Sequence, residues 1–336
     1  RSASRSGPRG SVRSPLSPAA DSRLSDGKKN QRGVRAFRRQ LRPATKCLGR
    51  DSDHRPSSCR GKPIASLDAL TATNLPIHSV RRGSGKPLLL VHGVGSSRYA
   101  WSLVTLALAS HREVIAIDLP GHGNSPAESD SGTFAGLARS LDDWLVHEKL
   151  TGTDMVGSSM GARLVLEMAR RGRSGAVVAL DPGGFWEGWE RGFLKLTLSA
   201  SGSLLRALRP ALPRLAHNPA TRTLLLAQLT ARPWALSGDL VERELVSFAS
   251  TETFQSLVRD LADGPVQTGP AAPGSGPVAI GWGRHDRLCF PGQAERAVAC
   301  FPDARLKWFE RSGHFPMWEE PAETVELILE TIGVDR

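Results

Sequence analysis

The chain has 336 residues, of which 40% are hydrophobic, so it is long enough to bury one large core without disulfide support. No run approaches the roughly 18 apolar residues that a membrane-spanning helix needs. The four cysteines show neither paired spacing nor the histidine neighbours typical of zinc sites. We therefore expect a protein without a membrane span or a zinc site, in a reducing compartment such as the cytoplasm.

The formal net charge of +11 would suggest nucleic-acid binding, but the charge is concentrated at one end. Residues 1–62 contain 17 Lys and Arg against 4 Asp, a net charge of +13, which leaves −2 for the rest of the chain. This segment is also rich in Arg, Ser, Pro and Gly, a composition that cannot offset the entropy lost on ordering. We predict a disordered basic extension over residues 1–65, either dispensable or with a targeting or binding role, and no nucleic-acid partner for the folded domain.

From about Leu75, short apolar runs alternate with amphipathic helical stretches, as is typical of an α/β fold with a mostly parallel sheet covered by helices on both faces. Strands are predicted at residues 76–82, 87–92, 114–118, 154–157, 176–180, 278–282 and 306–309. Helices are predicted at residues 101–110, 134–149, 160–171, 293–300 and 322–332. The first two strands flank Gly83-Ser84-Gly85, which predicts an antiparallel hairpin.

One region interrupts the alternation, because residues 185–265 contain helical patterns and no strand. Helices are expected there at residues 194–208, 220–229 and 240–249. We predict a helical cap over the carboxyl ends of the strands, where open parallel sheets bind ligands. Within the domain of residues 70–336, this cap is expected after the sixth strand.

The strongest motif is Gly157-Ser158-Ser159-Met160-Gly161, which follows a predicted strand and precedes a predicted helix. A nucleophilic serine in such a turn has strained backbone angles, so small residues are needed two positions to either side, and both are glycine here. That spacing selects Ser159 as the nucleophile. The amides of Met160, at the start of the helix, and of Val94, in the loop after an earlier strand, are predicted to form the oxyanion hole.

A histidine is the simplest general base near neutral pH, and His314 follows the last predicted strand in a glycine-containing loop. An acid should orient its ring. Asp286, which follows the preceding strand, is the preferred candidate, and Asp181, which follows the strand before the cap, remains an alternative. His92 and Asp118 come before the nucleophile in the chain and are expected to have structural roles.

Together these motifs resemble the α/β-hydrolase superfamily from about residue 75 to the end of the chain. The residues that carry the resemblance are 91–95, 118–123, 157–161, 283–286 and 313–316. The resemblance implies an α/β-hydrolase fold, a triad of Ser159, Asp286 and His314, and no cofactor. Two positions depart from the family pattern outside the triad: Ser158, where His, Asn or Gln is frequent, and Ala162, where Gly is frequent.

Within the superfamily, the order of elements is similar to that of small esterases, cofactor-free haloperoxidases and carbon–carbon bond hydrolases. The leading hypothesis is therefore hydrolysis of a carboxylic ester of a small apolar substrate through an acyl-enzyme on Ser159. A second is haloperoxidase-like chemistry or cleavage of a carbon–carbon bond in a vinylogous diketone, whose carboxylates would need arginines near Ser159. The candidate arginines are Arg98, Arg163, Arg191 and Arg284. A third is a non-catalytic ligand-binding protein, because a fold alone does not establish activity.

Overall fold

The computed structural model describes residues 77–334, so the predicted extension over residues 1–65 lies outside the described residues. Its strands are β1 (His78–Arg82), β2 (Pro87–Val91), β3 (Glu113–Asp118), β4 (Asp154–Ser158), β5 (Val177–Leu180), β6 (Val278–Gly283) and β7 (Arg305–Phe309). The helices outside the insertion described below are α1 (Thr105–Ala109), α2 (Phe134–His147), α3 (Met160–Arg170), α9 (Gln293–Cys300), α10 (Pro316–Glu319) and α11 (Pro321–Thr331). A short 3-10 helix, Arg98–Trp101, precedes α1.

The seven strands form one sheet in the order β1-β3-β2-β4-β5-β6-β7, and only the β1–β3 pair is antiparallel. The predicted α/β class with a mostly parallel sheet is confirmed. The predicted hairpin is wrong, because β1 pairs with β3, with His78 opposite Asp118, and not with β2. Both edges of β2 are occupied by parallel partners, β3 and β4, so the outer edge of β3 is the position left for β1.

Strands β2 and β5 are apolar throughout because helices cover both faces of the sheet. Leu88–Val91 of β2 and all of β5 are fully buried. Along α3, every residue from Met160 to Ala169 is also buried. This tight packing fixes the carboxyl ends of β4, β6 and β7, the three strands that precede the predicted site residues.

Between β5 and β6 lies a helical insertion, residues 189–263, of five α-helices. They are α4 (Trp189–Ala207), α5 (Leu212–His217), α6 (Pro219–Leu225), α7 (Gly238–Ser250) and α8 (Phe254–Asp263). The helical character of this region agrees with the sequence pattern. The insertion was predicted after the sixth strand, and this position is wrong. It follows the fifth strand, because only four strands precede β5 in the described chain. No helix within residues 77–334 is long and apolar enough to cross a membrane.

Candidate active site

Ser159 occupies the sharp turn between β4 and α3. Its backbone angles, φ 57° and ψ −117°, lie in a region that residues other than glycine rarely adopt. A side chain at Gly157 would overlap the carbonyl oxygen of Gly161, and one at Gly161 would overlap the carbonyl oxygen of Val91. The two glycines are therefore required by close backbone approach, which holds the strained serine at the end of the strand.

A chain of two hydrogen bonds joins Ser159, His314 and Asp286. The hydroxyl oxygen of Ser159 lies 2.8 Å from Nε2 of His314. On the other side of the ring, Nδ1 lies 2.7 Å from Oδ2 of Asp286. All three side chains are buried, with exposed fractions of 9%, 1% and 3% along this chain. With Nδ1 donating to the carboxylate, Nε2 is free to accept the serine proton.

The carboxylate of Asp286 is held by the backbone that follows it. Its Oδ1 accepts hydrogen bonds from the amides of Leu288, at 2.7 Å, and Cys289, at 3.0 Å. Oδ2 is thereby left for His314. Because both oxygens have fixed donors, the carboxylate fixes the plane of the imidazole ring as well as its tautomer.

Asp181, the alternative acid, lies beside Asp286 but contacts neither nitrogen of His314. Its Oδ1 accepts a hydrogen bond from the amide of Gly283 at 2.8 Å, and its Oδ2 has no partner among the described residues. Burial, and then the negative charge of Asp286, raise the pKa of Asp181 well above its usual range. This environment favours the neutral form of Asp181. Of the two acids, Asp286 is the one that bonds the histidine.

The two amides predicted as oxyanion donors border Ser159. Met160 follows it directly in the chain, and the position of a side chain at Gly93, next to Val94, would be 3.0 Å from Cβ of Ser159. Within residues 77–334, the amides of Val94 and Met160 donate no hydrogen bond to the protein. Free amide donors next to a serine hydroxyl are the groups that can stabilise a developing negative charge.

Glu319 supports the loop that carries His314, a role that was not predicted. Its carboxylate accepts hydrogen bonds from the amide of Gly313, at 2.7 Å, and from those of Ala231 and Arg232, at 2.9 and 2.8 Å. Burial raises the pKa of Glu319 although these amide bonds act in the opposite direction. The amide of His314 itself donates to the carbonyl of Leu229 at 2.8 Å. The histidine loop is thus bonded to the helical insertion through Glu319 and through its own backbone.

A second carboxylate that was not predicted, Glu244 of α7, lies against the loop after β2. It is almost fully buried and accepts a hydrogen bond from the Ser96 hydroxyl at 2.6 Å. Its other oxygen has no partner among the described residues. Burial raises the pKa of Glu244 to about 7, opposed by the Ser96 hydrogen bond. This role was not predictable from the pattern of residues, because a glutamate on a helix is usually exposed.

His92 and Asp118 occupy positions that fit the structural roles expected for them. Nε2 of His92 accepts a hydrogen bond from the amide of Leu119 at 3.0 Å, and burial lowers the pKa of the ring. The carboxylate of Asp118 accepts bonds from the amides of Arg98, at 2.7 Å, and Asn124, at 3.0 Å. Both residues hold loops at the carboxyl edge of the sheet and neither touches Ser159.

The donor atoms of Asp286, Cys289 and His314 lie within 4.8 Å of one another, close enough for a metal ion. Two of these residues are already bonded to each other. Burial, and then the charge of Asp286, raise the pKa of the Cys289 thiol well above its usual range, which disfavours the thiolate that a metal would need. The chemistry of this donor set therefore fits the hydrogen-bond chain better than a metal centre.

The description "Alpha/beta hydrolase family" belongs to a family model that matches residues 88–327, most of the described chain and all three residues of the hydrogen-bond chain. The chain belongs to the alpha/beta hydrolase family. Membership confirms the fold class that the motifs predicted and identifies the broad chemistry as that of hydrolases. It does not by itself name a bond or a substrate.

Three proteins illustrate the range of relatives of this α/β hydrolase. The uncharacterized protein Rv2715 of Mycobacterium tuberculosis is 25% identical over 299 residues, 80% of this chain and 82% of that protein. A 2-hydroxy-6-oxononadienedioate/2-hydroxy-6-oxononatrienedioate hydrolase of Cupriavidus pinatubonensis is 24% identical over 282 residues, 78% of this chain and 92% of that protein. A thermophilic esterase from Thermogutta terrifontis matches in structure with a TM-score of 0.59 and 21% identity, over 76% of this chain and 92% of the esterase, and shows the shared fold.

Proposed function

We propose that this α/β hydrolase cleaves a carboxylic ester of a small apolar substrate through an acyl-enzyme on Ser159. The observation that carries the proposal is the buried hydrogen-bond chain, 2.8 Å from Ser159 to His314 and 2.7 Å from His314 to Asp286. In it a hydroxyl, a base and an orienting acid stand in the order that nucleophilic acyl transfer requires. The remaining steps follow from the direction of proton movement along this chain.

In the first step, Nε2 of His314 takes the hydroxyl proton as the oxygen of Ser159 attacks the ester carbonyl carbon. The carbonyl oxygen becomes negatively charged and receives hydrogen bonds from the amides of Val94 and Met160. Asp286, bonded to Nδ1, stabilises the imidazolium. His314 then donates the proton to the leaving alcohol, and the acyl-enzyme remains. In the second step, His314 deprotonates a water molecule that attacks the acyl carbon, and it then returns this proton to the oxygen of Ser159 as the bond to the acyl group breaks and the acid is released.

The proposal is tested by Ser159→Ala with Ser158→Ala as the matched control. Ser158 is the neighbouring serine, and its buried hydroxyl has no partner among the described residues, so its removal should leave fold and activity nearly unchanged. Ser159→Ala should lower turnover of an activated short-chain aryl ester by several orders of magnitude. A fluorophosphonate probe should label the wild-type protein at residue 159. Ester turnover by Ser159→Ala at the wild-type rate would contradict the proposal.

Carbon–carbon bond hydrolysis is the second candidate, favoured by the similarity to the Cupriavidus hydrolase. It needs cationic side chains that face the serine, and the four candidate arginines are engaged elsewhere. Arg98 pairs with Asp118, Arg163 donates to the carbonyl of Pro265, Arg191 donates to the carbonyl of Gly264, and Arg284 pairs with Glu310. These contacts favour the ester over a dicarboxylate substrate. The two reactions are distinguished by measuring turnover of a panel of aryl esters and of ring-cleavage products by the same protein.

The non-catalytic alternative predicts no covalent adduct with the fluorophosphonate probe. The intact hydrogen-bond chain and the free amides of Val94 and Met160 support the enzyme instead. We further propose the cytoplasm as the compartment, since Cys289 and Cys300 are both free thiols.

A further inference from the structure

The longest helix of the insertion, α4, is apolar on two opposite faces. Its inner face buries Leu194, Leu198 and Leu205. Its outer face carries large apolar side chains at helical spacing, of which Trp189 is 67% exposed, Leu196 71% and Leu204 52%. A surface helix ordinarily has a polar outer face, so this one has a second apolar face that the described chain leaves uncovered.

Further apolar side chains are exposed later in the insertion. Leu224 is 79% exposed and Trp234 is 56% exposed. A hydrogen bond of 2.9 Å from Gln228 to Thr197 joins the turn after α6 to the middle of α4. In all, five of the eleven exposed large apolar side chains of the described residues lie between residues 189 and 235. That short segment is therefore strongly enriched in exposed apolar surface.

The same segment is strongly basic. Residues 189–235 contain seven Lys and Arg and one acidic residue, a net charge of +6, whereas residues 236–264 have a net charge of −4. The side chains of Arg206, Arg209 and Arg214 are exposed and form no ion pair with another described residue. Exposed cations beside an exposed apolar stripe are the combination that binds an anionic lipid surface, where the apolar side chains enter the acyl boundary and the cations meet the headgroups.

We propose that the outer face of α4, with Trp189, Leu196 and Leu204 at its centre, docks onto an anionic phospholipid bilayer. The basic segment 1–62, with its net charge of +13, is a poor occupant for a face whose surroundings are themselves basic. A second copy of the chain would bring the exposed arginines of the two copies together. An anionic bilayer complements both the apolar stripe and the charge.

The docking face adjoins the candidate active site. The ring of Trp189 packs against that of Phe290, with 5.2 Å between the ring centroids. The ring of Phe193 also packs against that of Phe290, at 5.3 Å. Phe290 follows Cys289, whose amide holds the carboxylate of Asp286. Docking would thus place the loop of the orienting acid next to the lipid surface. The binding itself does not depend on the proposed ester chemistry, so either can fail without the other.

The test is co-sedimentation of the full chain with vesicles of phosphatidylcholine and phosphatidylglycerol. Two double variants change the face: Trp189→Glu with Leu196→Glu, and Leu196→Glu with Leu204→Glu, the latter leaving the aromatic contacts with Phe290 intact. The matched control is Leu103→Glu with Leu106→Glu, at positions 43% and 70% exposed outside the insertion. Every protein keeps the basic segment 1–62, so its contribution to binding is the same throughout. Circular dichroism and thermal unfolding check that each variant is folded.

We expect the wild-type protein and the control to bind the vesicles and both face variants to bind at least about tenfold more weakly, because two apolar side chains no longer enter the acyl boundary. If the wild-type protein does not sediment with the vesicles, the proposal is overturned. Equal binding by the face variants overturns it as well, since another part of the chain then carries the affinity. Light scattering that shows a wild-type dimer, converted to a monomer by the face variants, with unchanged vesicle binding, assigns the face to a second copy and also overturns it.

Discussion

The carboxylate of Glu319 accepts a hydrogen bond of 2.7 Å from the amide of Gly313, directly before His314 in the chain. The same carboxylate binds the amides of Ala231 and Arg232, which belong to the helical insertion. One half-buried side chain therefore sets the position of the histidine loop relative to the insertion. The imidazole is aligned from two directions: its ring by Asp286 and its backbone by this contact.

Glu319→Gln should lower kcat for an activated aryl ester by roughly 10- to 100-fold with little change in KM, because an amide group would turn a donor towards at least one of the three backbone amides and shift the loop. Steady-state kinetics measure the effect. Glu323→Gln, which alters an exposed partner of Arg311, is the control and should leave kcat unchanged. Equal kcat values for the two variants would contradict the positioning role.

Asp286→Asn should lower kcat by about 10⁴-fold, because the amide cannot hold the imidazole in the required tautomer or stabilise its charge. Asp181→Asn should cost less than about tenfold, since an asparagine can still accept the hydrogen bond from the amide of Gly283 and resembles the neutral carboxyl group. The comparison of the two rates identifies the acid. Similar losses in both variants would mean that the two carboxyl groups act together.

Glu244→Gln should change how stability depends on pH. The pKa of Glu244 is about 7 in the folded protein against an ordinary value of 4.5, so the folded state loses stability relative to the unfolded state as pH rises from about 4.5 to 7. The glutamine variant lacks this loss. Its free energy of unfolding relative to the wild type should be higher at pH 8 than at pH 4.5 by roughly 3 kcal/mol, measured by urea denaturation.

The control for this measurement is Glu252→Gln, an exposed position just after α7, which should follow the wild-type pH curve. A Glu244→Gln curve parallel to that of the wild type would show that the buried carboxyl group does not contribute. Comparison of differences between variants, and not of absolute stabilities, keeps the other titrating groups out of the result.

Gly161→Ala should destabilise the protein severely, by several kcal/mol, because the added methyl group would overlap the carbonyl oxygens of Val91 and His92. Gly192→Ala adds the same group to a helix position with open space around it, and should be neutral or stabilise by about 0.5–1 kcal/mol. Thermal unfolding of the two variants measures the difference. A small effect at Gly161 would contradict the close approach of β2 and α3.

The parts of this molecule that were predictable from sequence are those fixed by local spacing. Glycines two positions to either side of Ser159 mark the turn, and the order of strands along the chain puts Asp286 and His314 at the same edge of the sheet. As a result, His314 lies within hydrogen-bonding distance of both Asp286 and Ser159. The helical character of the insertion follows equally from a local pattern, because apolar residues recur at helical intervals.

Features that depend on distant partners were not predictable. β1 and β2 are joined by a glycine-rich turn typical of a hairpin, yet the two edges of β2 are taken by strands that come later in the chain. Glu319 and Glu244 were missed for a related reason. Their partners are backbone amides or a serine hydroxyl brought together by folding, and neither group carries a signature in the sequence.

The hydrogen bond from the amide of His314 to the carbonyl of Leu229, with the Glu319 contacts beside it, ties residues 229–232, which follow α6, to the loop that carries the imidazole. A substrate entrance that opened by displacing residues 229–232 would carry the base away from Ser159 at the moment of entry. We therefore expect residues 229–232 to stay in place when substrate enters.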